Sequence, residues 1–355
     1  MSVFFTETKQ MSVFFTETKQ MSVFFTDISQ HHHQYLNFMR NLLFCCYIFS
    51  ILVPSSAQST KEIYDISTID IDHFWEAFDS LAHTKDSIGT MQRLYIDRGT
   101  EGLKQFIKAR NFTAAEYVEL IRDIPAFWLS IRPNTLAVKE RKAQIIEVFR
   151  KYKQIYPRFK APKVCFAIGN LRTGGTVRKD YLLIGTEIAS ADSTTNKDGM
   201  NQWLQSVLGQ TGDITGMVAH ETVHFLQPKA LFPMANAYFG HRMLMFCLRE
   251  GAADFIAEQA IGHHINEHIF QYGEAHEQAL WEEFKTEMLK NDFSKWLYNG
   301  VQSKGRPADL GYYIGYKICQ SYFEKAPDKN KALIAIIRIM HYKRFWRKSG
   351  YDGKK

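Results

Sequence analysis

The strongest constraint on this chain is an apolar run that contains two histidines four residues apart. Residues 216–226 read GMVAHETVHFL, and their apolar character predicts a buried helix. His220 and His224 would lie one turn apart on the same helix face, so both imidazoles can reach one metal ion. Glu221 would lie beside that ion, where it can take a proton from metal-bound water. The pattern therefore predicts the metal-binding helix of a zinc hydrolase.

A third ligand is required, because a chain with thirteen histidines in 355 residues can contain this motif by chance. The downstream segment LREGAADFIAE supplies Glu250, far enough along for a second helix to return antiparallel to the first. Glu250 would complete a His2Glu site with a fourth position left for water, as in catalytic zinc sites. Asp254, on the same face one turn later, would accept the N–H of a liganding imidazole. Glu258 is an alternative ligand, but Asp254 would then lack a role.

These residues carry a resemblance to known zinc enzymes. The pattern His220-Glu221-x-x-His224 with Glu250-x-x-x-Asp254 resembles the gluzincin branch of zinc metallopeptidases. A wider set of segments is similar to the zinc-dependent proteases related to gliding-motility lipoprotein B of Bacteroidetes: GGT at 174–176, LIGTE at 183–187, EGAAD at 250–254 and GYYIG at 311–315. The resemblance covers roughly residues 65–340. It implies an exported peptidase with a zincin-like catalytic domain, in which a small β-sheet packs beside the metal-binding helix.

The resemblance also assigns roles to single residues. It makes His220, His224 and Glu250 the Zn²⁺ ligands, Glu221 the general base, and Asp254 the residue that orients a ligand. A separate donor should stabilise the oxyanion, and Tyr312 or Tyr313 is the candidate, with Arg306 as a weaker one. For either tyrosine, simple packing within a glycine-rich helix is an equally valid interpretation.

A second histidine cluster is a rival metal site. His264 and His268 also have four-residue spacing, with His263 before them and His276 beyond. No carboxylate follows His264 directly, and the stretch is more polar, which favours an exposed helix or loop. We therefore expect the metal at the first motif.

The N-terminal 57 residues are predicted to be leader sequence. Residues 1–38 consist mainly of a ten-residue unit that is repeated, and each unit begins with methionine. Residues 39–57 have a positive charge, an apolar core of about twelve residues and a small-residue end, the plan of a secretory signal peptide. The apolar core is too short for a membrane span, so cleavage after Ala57 predicts a periplasmic or secreted protein without stable membrane insertion. Cys45 and Cys46 lie too early for lipidation, which departs from the lipoprotein pattern.

The remaining residues, 58–355, are predicted to form one mainly helical α+β domain. A helical part extends to about residue 156, and a catalytic part covers about 157–346. Residues 163–169 and 181–188 read as strands separated by a glycine-rich connection, and an exposed sheet edge could align an extended peptide. Within the connection, Gly174 and Gly175 resemble a phosphate loop only weakly, because no Lys-Ser/Thr follows them. Apolar periodicity predicts a further amphipathic helix over 277–299.

The expected function is hydrolysis of a peptide or protein substrate outside the cytoplasm. The formal net charge of +7 is spread along the chain without a long basic block, so nucleic acid is not an expected partner. Two alternatives stay open: a non-catalytic zinc-containing protein for peptide binding or envelope assembly, and a zinc hydrolase acting on a non-peptide substrate. The sequence does not indicate an oligomeric state.

Overall fold

Helices dominate the structure, and a small sheet lies among them. The computed structural model describes residues 64–208, 212–229, 242–300 and 305–354. The predicted repeated leader and signal peptide fall outside these ranges. Within the described ranges, no helix is both long enough and apolar enough to cross a membrane. The mainly helical α+β class predicted from the sequence is confirmed.

The N-terminal part is helical, as expected. Its α-helices are α1 (Ile69–Ser80), α2 (Ser87–Met91), α3 (Glu101–Arg110), α4 (Ala114–Asp123), α5 (Pro125–Ala137) and α6 (Lys142–Ile155), with a π-helical turn at Gln92–Asp97 and 3-10 turns at Leu81–His83 and Val138–Arg141. Helix α4 begins with a capping box, in which Thr113 and Glu116 each satisfy the other's backbone N–H. Tyr152 of α6 donates its hydroxyl to the Ala219 carbonyl at 2.7 Å. This bond ties the N-terminal helices to the helix that carries His220 and His224.

The sheet has four strands in the order β1-β2-β4-β3. The strands are β1 (Ile66–Ser67), β2 (Lys163–Ala167), β3 (Gly175–Arg178) and β4 (Tyr181–Gly185). β1, β2 and β4 are parallel neighbours, whereas β3 is antiparallel to β4 and forms one edge. Buried apolar residues fill β2 and β4, because helices cover a parallel sheet.

The glycine-rich connection differs from its prediction, since part of it is the edge strand β3. A two-residue turn at Lys179 and Asp180 joins β3 to β4, and Lys179 has a φ of 53°. Such turns favour Asn or Gly at left-handed positions, so a lysine there hides the hairpin from sequence patterns. The second predicted strand is also shorter than expected, because residues Thr186–Ala189 form a short helix, α7.

Two long helices after the sheet carry the candidate site. Helix α8 (Gln202–Val207) is followed by α9 (Ile214–Leu226), which begins after its N-cap residue Asp213 and ends before Pro228. Helix α10 (Arg242–Ile261) is mostly buried from Met243 to Ala257. Helix α11 (Glu267–Glu287) comes next, and the prediction of a helix continuing to 299 was wrong, because the chain leaves the helical path at Met288.

The C-terminal helices pack against α10. They are α12 (Leu310–Lys325), α13 (Lys329–Ile337) and α14 (Tyr342–Ser349). Glycines allow α10 and α12 to touch through their backbones: a Cβ on Gly251 would lie 2.1 Å from the Tyr316 nitrogen, and a Cβ on Gly315 would lie 1.8 Å from the Cys247 carbonyl oxygen. This close packing fixes the position of α10 and therefore of Glu250.

Candidate metal centre

Three side chains from α9 and α10 converge on one point. His220 Nε2 lies 3.0 Å from His224 Nε2, and Glu250 Oε2 lies 3.1 Å from His224 Nε2 and 3.3 Å from His220 Nε2. Within the described ranges, this is the one group of three or more His, Cys, Asp or Glu side chains that could hold a metal ion. The geometry therefore brings together the three ligands that the sequence predicted.

The helix pair explains this convergence. His220 faces Asp254 and His224 faces Glu250, so residue numbers rise along α9 as they fall along α10. The two helices are thus antiparallel, and the four-residue spacing on each places one interacting pair per turn. His220 and Glu250 are more than nine-tenths buried, which limits access to the site from the helix side.

The hydrogen bonds of the imidazoles fit metal ligation. His220 Nδ1 lies 2.7 Å from Asp254 Oδ1, and His224 Nδ1 lies 2.9 Å from Gln227 Oε1. The Gln227 amide is oriented by donation of its Nε2 to the Arg249 carbonyl at 2.9 Å. Each Nδ1 thus has an acceptor, which allows a neutral imidazole to keep its proton there and to ligate a metal ion through Nε2. Two imidazole nitrogens and a carboxylate oxygen are a donor set suited to Zn²⁺.

Asp254 has the orienting position that the sequence predicted. It is buried, and its second oxygen, Oδ2, accepts a hydrogen bond from Asn266 Nδ2 at 2.8 Å. Asn266 lies in the turn between α10 and α11, where sequence patterns gave no signal. Both carboxylate oxygens of Asp254 are therefore engaged, which fixes the plane of the His220 ring.

The electrostatics of the cluster favour a bound positive charge. Burial by itself lowers the pKa of His220 and of His224. Hydrogen bonds and charge from Asp254 and Glu250 outweigh burial at His220, and the charge and hydrogen bond of Glu250 outweigh it at His224, so both pKa values rise. Burial by itself raises the pKa of Glu250, yet the adjacent His224 and His220 hold it well below its ordinary range. A dication at this point would be attracted by the same carboxylates.

Glu221 lies beside the cluster and against the edge strand. A Cβ on Gly175 of β3 would lie 2.6 Å from both Cγ and Oε1 of Glu221, so only glycine permits this approach. Burial raises the pKa of the Glu221 carboxyl, although the nearby His224 and His220 oppose the rise. A bound dication would act in the same direction as the two histidines.

The three candidate oxyanion donors lie in different surroundings. Tyr312 lines the cleft and stacks on His220, with ring centroids 6.0 Å apart and planes at 22°. Tyr313 packs its ring on Gly273 and donates its hydroxyl to Glu274 at 3.3 Å, outside the cleft. Arg306 reaches the cleft wall, but Glu283 binds its guanidinium at 2.8 and 3.2 Å. Tyr312 is thus the candidate that the structure brings to the metal ligands.

Sequence patterns missed Tyr298, which contacts a predicted ligand directly. Its hydroxyl donates to Glu250 Oε1 at 2.9 Å. Burial of the hydroxyl, with the negative charge of Glu250, raises the pKa of Tyr298 and keeps the phenol protonated as a donor. The aromatic periodicity of 277–299 had placed this residue at the end of a helix. A predicted helix end before Tyr298 would have placed this tyrosine in a loop, and that was the signal that could have identified it.

The rival histidine cluster does not form a metal group within the described ranges. His264 stacks on Phe270 with ring centroids 3.9 Å apart, and His263 Nε2 lies 2.7 Å from Asp213 Oδ2. Glu258, the alternative third ligand, accepts the hydroxyl of Tyr316 instead. His263 thus contacts the N-cap residue of α9, whereas His264 and Glu258 contact residues of α11 and α12.

An open cleft of about 950 Å³ gives access to the metal group. Its walls include β3, the loop before it, and residues around Tyr298 and Tyr312. The cleft also contains His220, Glu221, His224 and Glu250. The ligands and the prospective base therefore face a space large enough for several residues of an extended peptide.

Comparison with known proteins places this site in a family. The sequence model of the family described as gliding motility protein GldB matches residues 56–353, more than four fifths of the chain. No curated protein and no solved structure matches the chain. The matched residues include all of the metal group and both walls of the cleft. On this match, the chain belongs to the gliding motility protein GldB family.

Proposed function

We propose that this chain is an exported zinc-dependent peptidase of gluzincin type, with a zincin-like catalytic domain. The observation that carries the proposal is the convergence of His220, His224 and Glu250 beside Glu221 at the floor of an open cleft. Membership in a family named for a gliding-motility lipoprotein supports export. The family name does not itself describe a peptidase, so the proposal depends on the chemistry of the site.

His220, His224 and Glu250 would hold the zinc ion. When bound, zinc would lower the pKa of a water molecule and polarise a substrate carbonyl. Glu221 would accept the proton of that water and deliver it to the leaving amine, since its buried carboxyl is adjacent to the two histidines. Asp254 and Gln227 would hold the two imidazoles in the tautomer that ligates through Nε2.

The edge strand offers a way to align a peptide substrate. β3 pairs with β4 on one side, and its other side borders the cleft. An extended peptide could add to this edge through main-chain hydrogen bonds, which would bring its carbonyl groups past Glu221. The contact between Gly175 and Glu221 sets the distance between the edge strand and the base. Tyr312 is the proposed donor to the oxyanion.

Replacement of Glu221 by glutamine tests catalysis separately from metal binding. We expect wild type and Glu221→Gln each to retain one equivalent of zinc, while the variant cleaves a diverse peptide library roughly 10²–10⁴-fold more slowly. Metal analysis and mass spectrometry of the cleaved peptides provide the two measurements. Glu119→Gln, at an exposed position of α4, is the matched control and should cleave like wild type.

The other outcomes separate the alternatives. A wild-type protein that binds no zinc would overturn the proposed metal centre. Retained zinc without cleavage of any peptide would favour a non-catalytic zinc-containing protein for peptide binding or envelope assembly. Cleavage of ester or other non-peptide substrates alone, lost in Glu221→Gln, would keep the zinc hydrolase and change its substrate class.

A further inference from the structure

The two carboxylate oxygens of Glu250 have different partners. Oε2 faces the Nε2 atoms of His220 and His224 at 3.3 and 3.1 Å. Oε1 accepts the hydroxyl of Tyr298 at 2.9 Å. A carboxylate can bind a metal ion through one oxygen or through both, and the second mode occupies an additional coordination position. The partner of Oε1 therefore affects how many coordination positions of the metal ion stay free.

Tyr298 reaches Glu250 from a backbone conformation that few aromatic residues adopt. Its φ is 56°, in the left-handed region, although the residue as a whole is 56% exposed. An unfavourable conformation at an exposed residue persists only where surrounding contacts impose it. The surrounding structure thus maintains the contact between the Tyr298 hydroxyl and Glu250.

A set of hydrogen bonds imposes that conformation. The backbone N–H of Tyr298 donates to Asp309 Oδ1, and the Asp309 N–H donates to Asn299 Oδ1 at 2.8 Å. Asn299 is buried, and its Nδ2 donates to the Lys295 carbonyl at 2.7 Å. Asp309 is itself in the left-handed region, at the start of α12. Since α12 packs on α10 through glycines, this set of hydrogen bonds connects Tyr298 to the helix that carries Glu250.

We propose that Tyr298 is a positioning residue that restricts Glu250 to one ligating oxygen and so preserves an open coordination position on the metal. A hydrogen bond from the phenol occupies a lone pair of Oε1 and reduces its ability to act as a second ligand. Catalytic zinc sites require an open position, whereas structural sites are closed. Tyr298 would thus keep this site in the catalytic form. The inference rests on the proposed zinc site.

X-ray absorption of the zinc-loaded full chain tests this role without reference to activity. In Tyr298→Phe, which removes only the hydroxyl, we expect one additional light-atom neighbour around zinc as Glu250 becomes bidentate. Tyr313→Phe is the matched control, because that hydroxyl contacts Glu274 outside the cleft, and it should give the wild-type spectrum. Circular dichroism and zinc content confirm that each variant is folded and loaded.

The possible results distinguish this inference from the proposed function. Zinc bound in wild type with the same coordination number in Tyr298→Phe overturns the role of Tyr298 and leaves the zinc site intact. A gain of one neighbour in both Tyr298→Phe and Tyr313→Phe also overturns it, since the effect would not be specific to Glu250. A wild-type chain that binds no zinc overturns the metal centre and this inference together.

Discussion

The two sides of the cleft are built from different kinds of structure. On the helix side, His220, His224 and Glu250 lie on regular, buried helices whose backbone groups bond within each helix. The loop side is formed by three segments: residues 168–174, which reach the cleft at Thr173 and Gly174, residues 288–300, which reach it at Tyr298 and Gly300, and residues 305–309. Four residues that are not glycine have left-handed backbones in those segments: Asn170, Leu171, Tyr298 and Asp309.

Buried carboxylates stabilise the loop side. Glu187, fully buried in α7, accepts the N–H groups of Gly169 and Leu171 at 2.8–3.0 Å. Asp309 accepts the N–H of Tyr298 in the same manner. Such bonds satisfy backbone groups that have no partner in a helix or sheet. The comparison indicates that the helix side is stabilised by packing, and that the loop side depends on hydrogen bonds to a buried carboxyl group that titrates, and therefore on pH.

The largest effect should come from titration of Glu187. Burial raises the pKa of its carboxyl from 4.5 to about 7, although the N–H groups of Gly169 and Leu171 act in the opposite direction. The folded protein thus binds this proton more tightly than the unfolded chain. Its contribution to stability is fully present below about pH 4.5 and is lost as the pH rises through 7, a fall of about 3 kcal/mol in the free energy of unfolding.

Urea denaturation between pH 5 and pH 8 measures this dependence. Glu187→Gln should flatten the fall in the free energy of unfolding, whatever its effect at any single pH. Glu119→Gln, at an exposed position of α4, should keep the wild-type slope. If Glu187→Gln and wild type have parallel profiles, the titration of Glu187 does not affect the stability of this loop, and the proposed contrast between the two sides fails.

The same contrast explains what the sequence could predict. On the helix side, the four-residue spacing of His220 and His224 follows a local rule, and both residues lie on one face of α9. Asp254 lies beside His220, because a four-residue step from Glu250 on a helix has one geometric meaning. Each of these inferences needed only the periodicity of one helix.

The loop side lacks such local rules. Tyr298 contacts Glu250 across 48 residues, and its left-handed backbone is set by Asp309, which no pattern connects to it. β3 was hidden because Lys179 occupies a turn position where Asn or Gly is usual. Tyr312 and Tyr313 could not be separated either, because a glycine-rich helix gives no indication of which neighbour faces the cleft.

An effect of intermediate size is expected on the helix side from Asp254→Asn. An amide is a weaker acceptor than a carboxylate for the Nδ1 proton of His220, and its NH2 group would compete for the same position. Zinc affinity should fall by about 10–100-fold, measured by competition with a chelator of known affinity. Asp123→Asn, at a surface ion pair with Arg122 outside the cleft, should bind zinc like wild type.

The result for Asp254→Asn also refines the comparison of the two sides. In the metal-free protein, Asp254→Asn should keep the fall in the free energy of unfolding that the titration of Glu187 causes, because this variant retains Glu187. An unchanged zinc affinity in Asp254→Asn would contradict the orienting role of the residue. That result would not affect the proposal that His220, His224 and Glu250 are the zinc ligands.

The smallest effect should come from relieving the strain of the loop before β3. Asn170 is buried at a φ of 56°, and its Oδ1 has no hydrogen-bond partner within the described part of the chain. Asn170→Gly removes an unsatisfied carbonyl and suits a left-handed backbone, so we expect the free energy of unfolding to rise by about 1 kcal/mol. Lys179→Gly, at a φ of 53° in the hairpin turn, removes backbone strain alone and should give a smaller gain. Thermal and urea denaturation measure both. A loss of stability in Asn170→Gly would mean that the side chain contributes a favourable interaction, and that the loop is held by more than the carboxylate of Glu187.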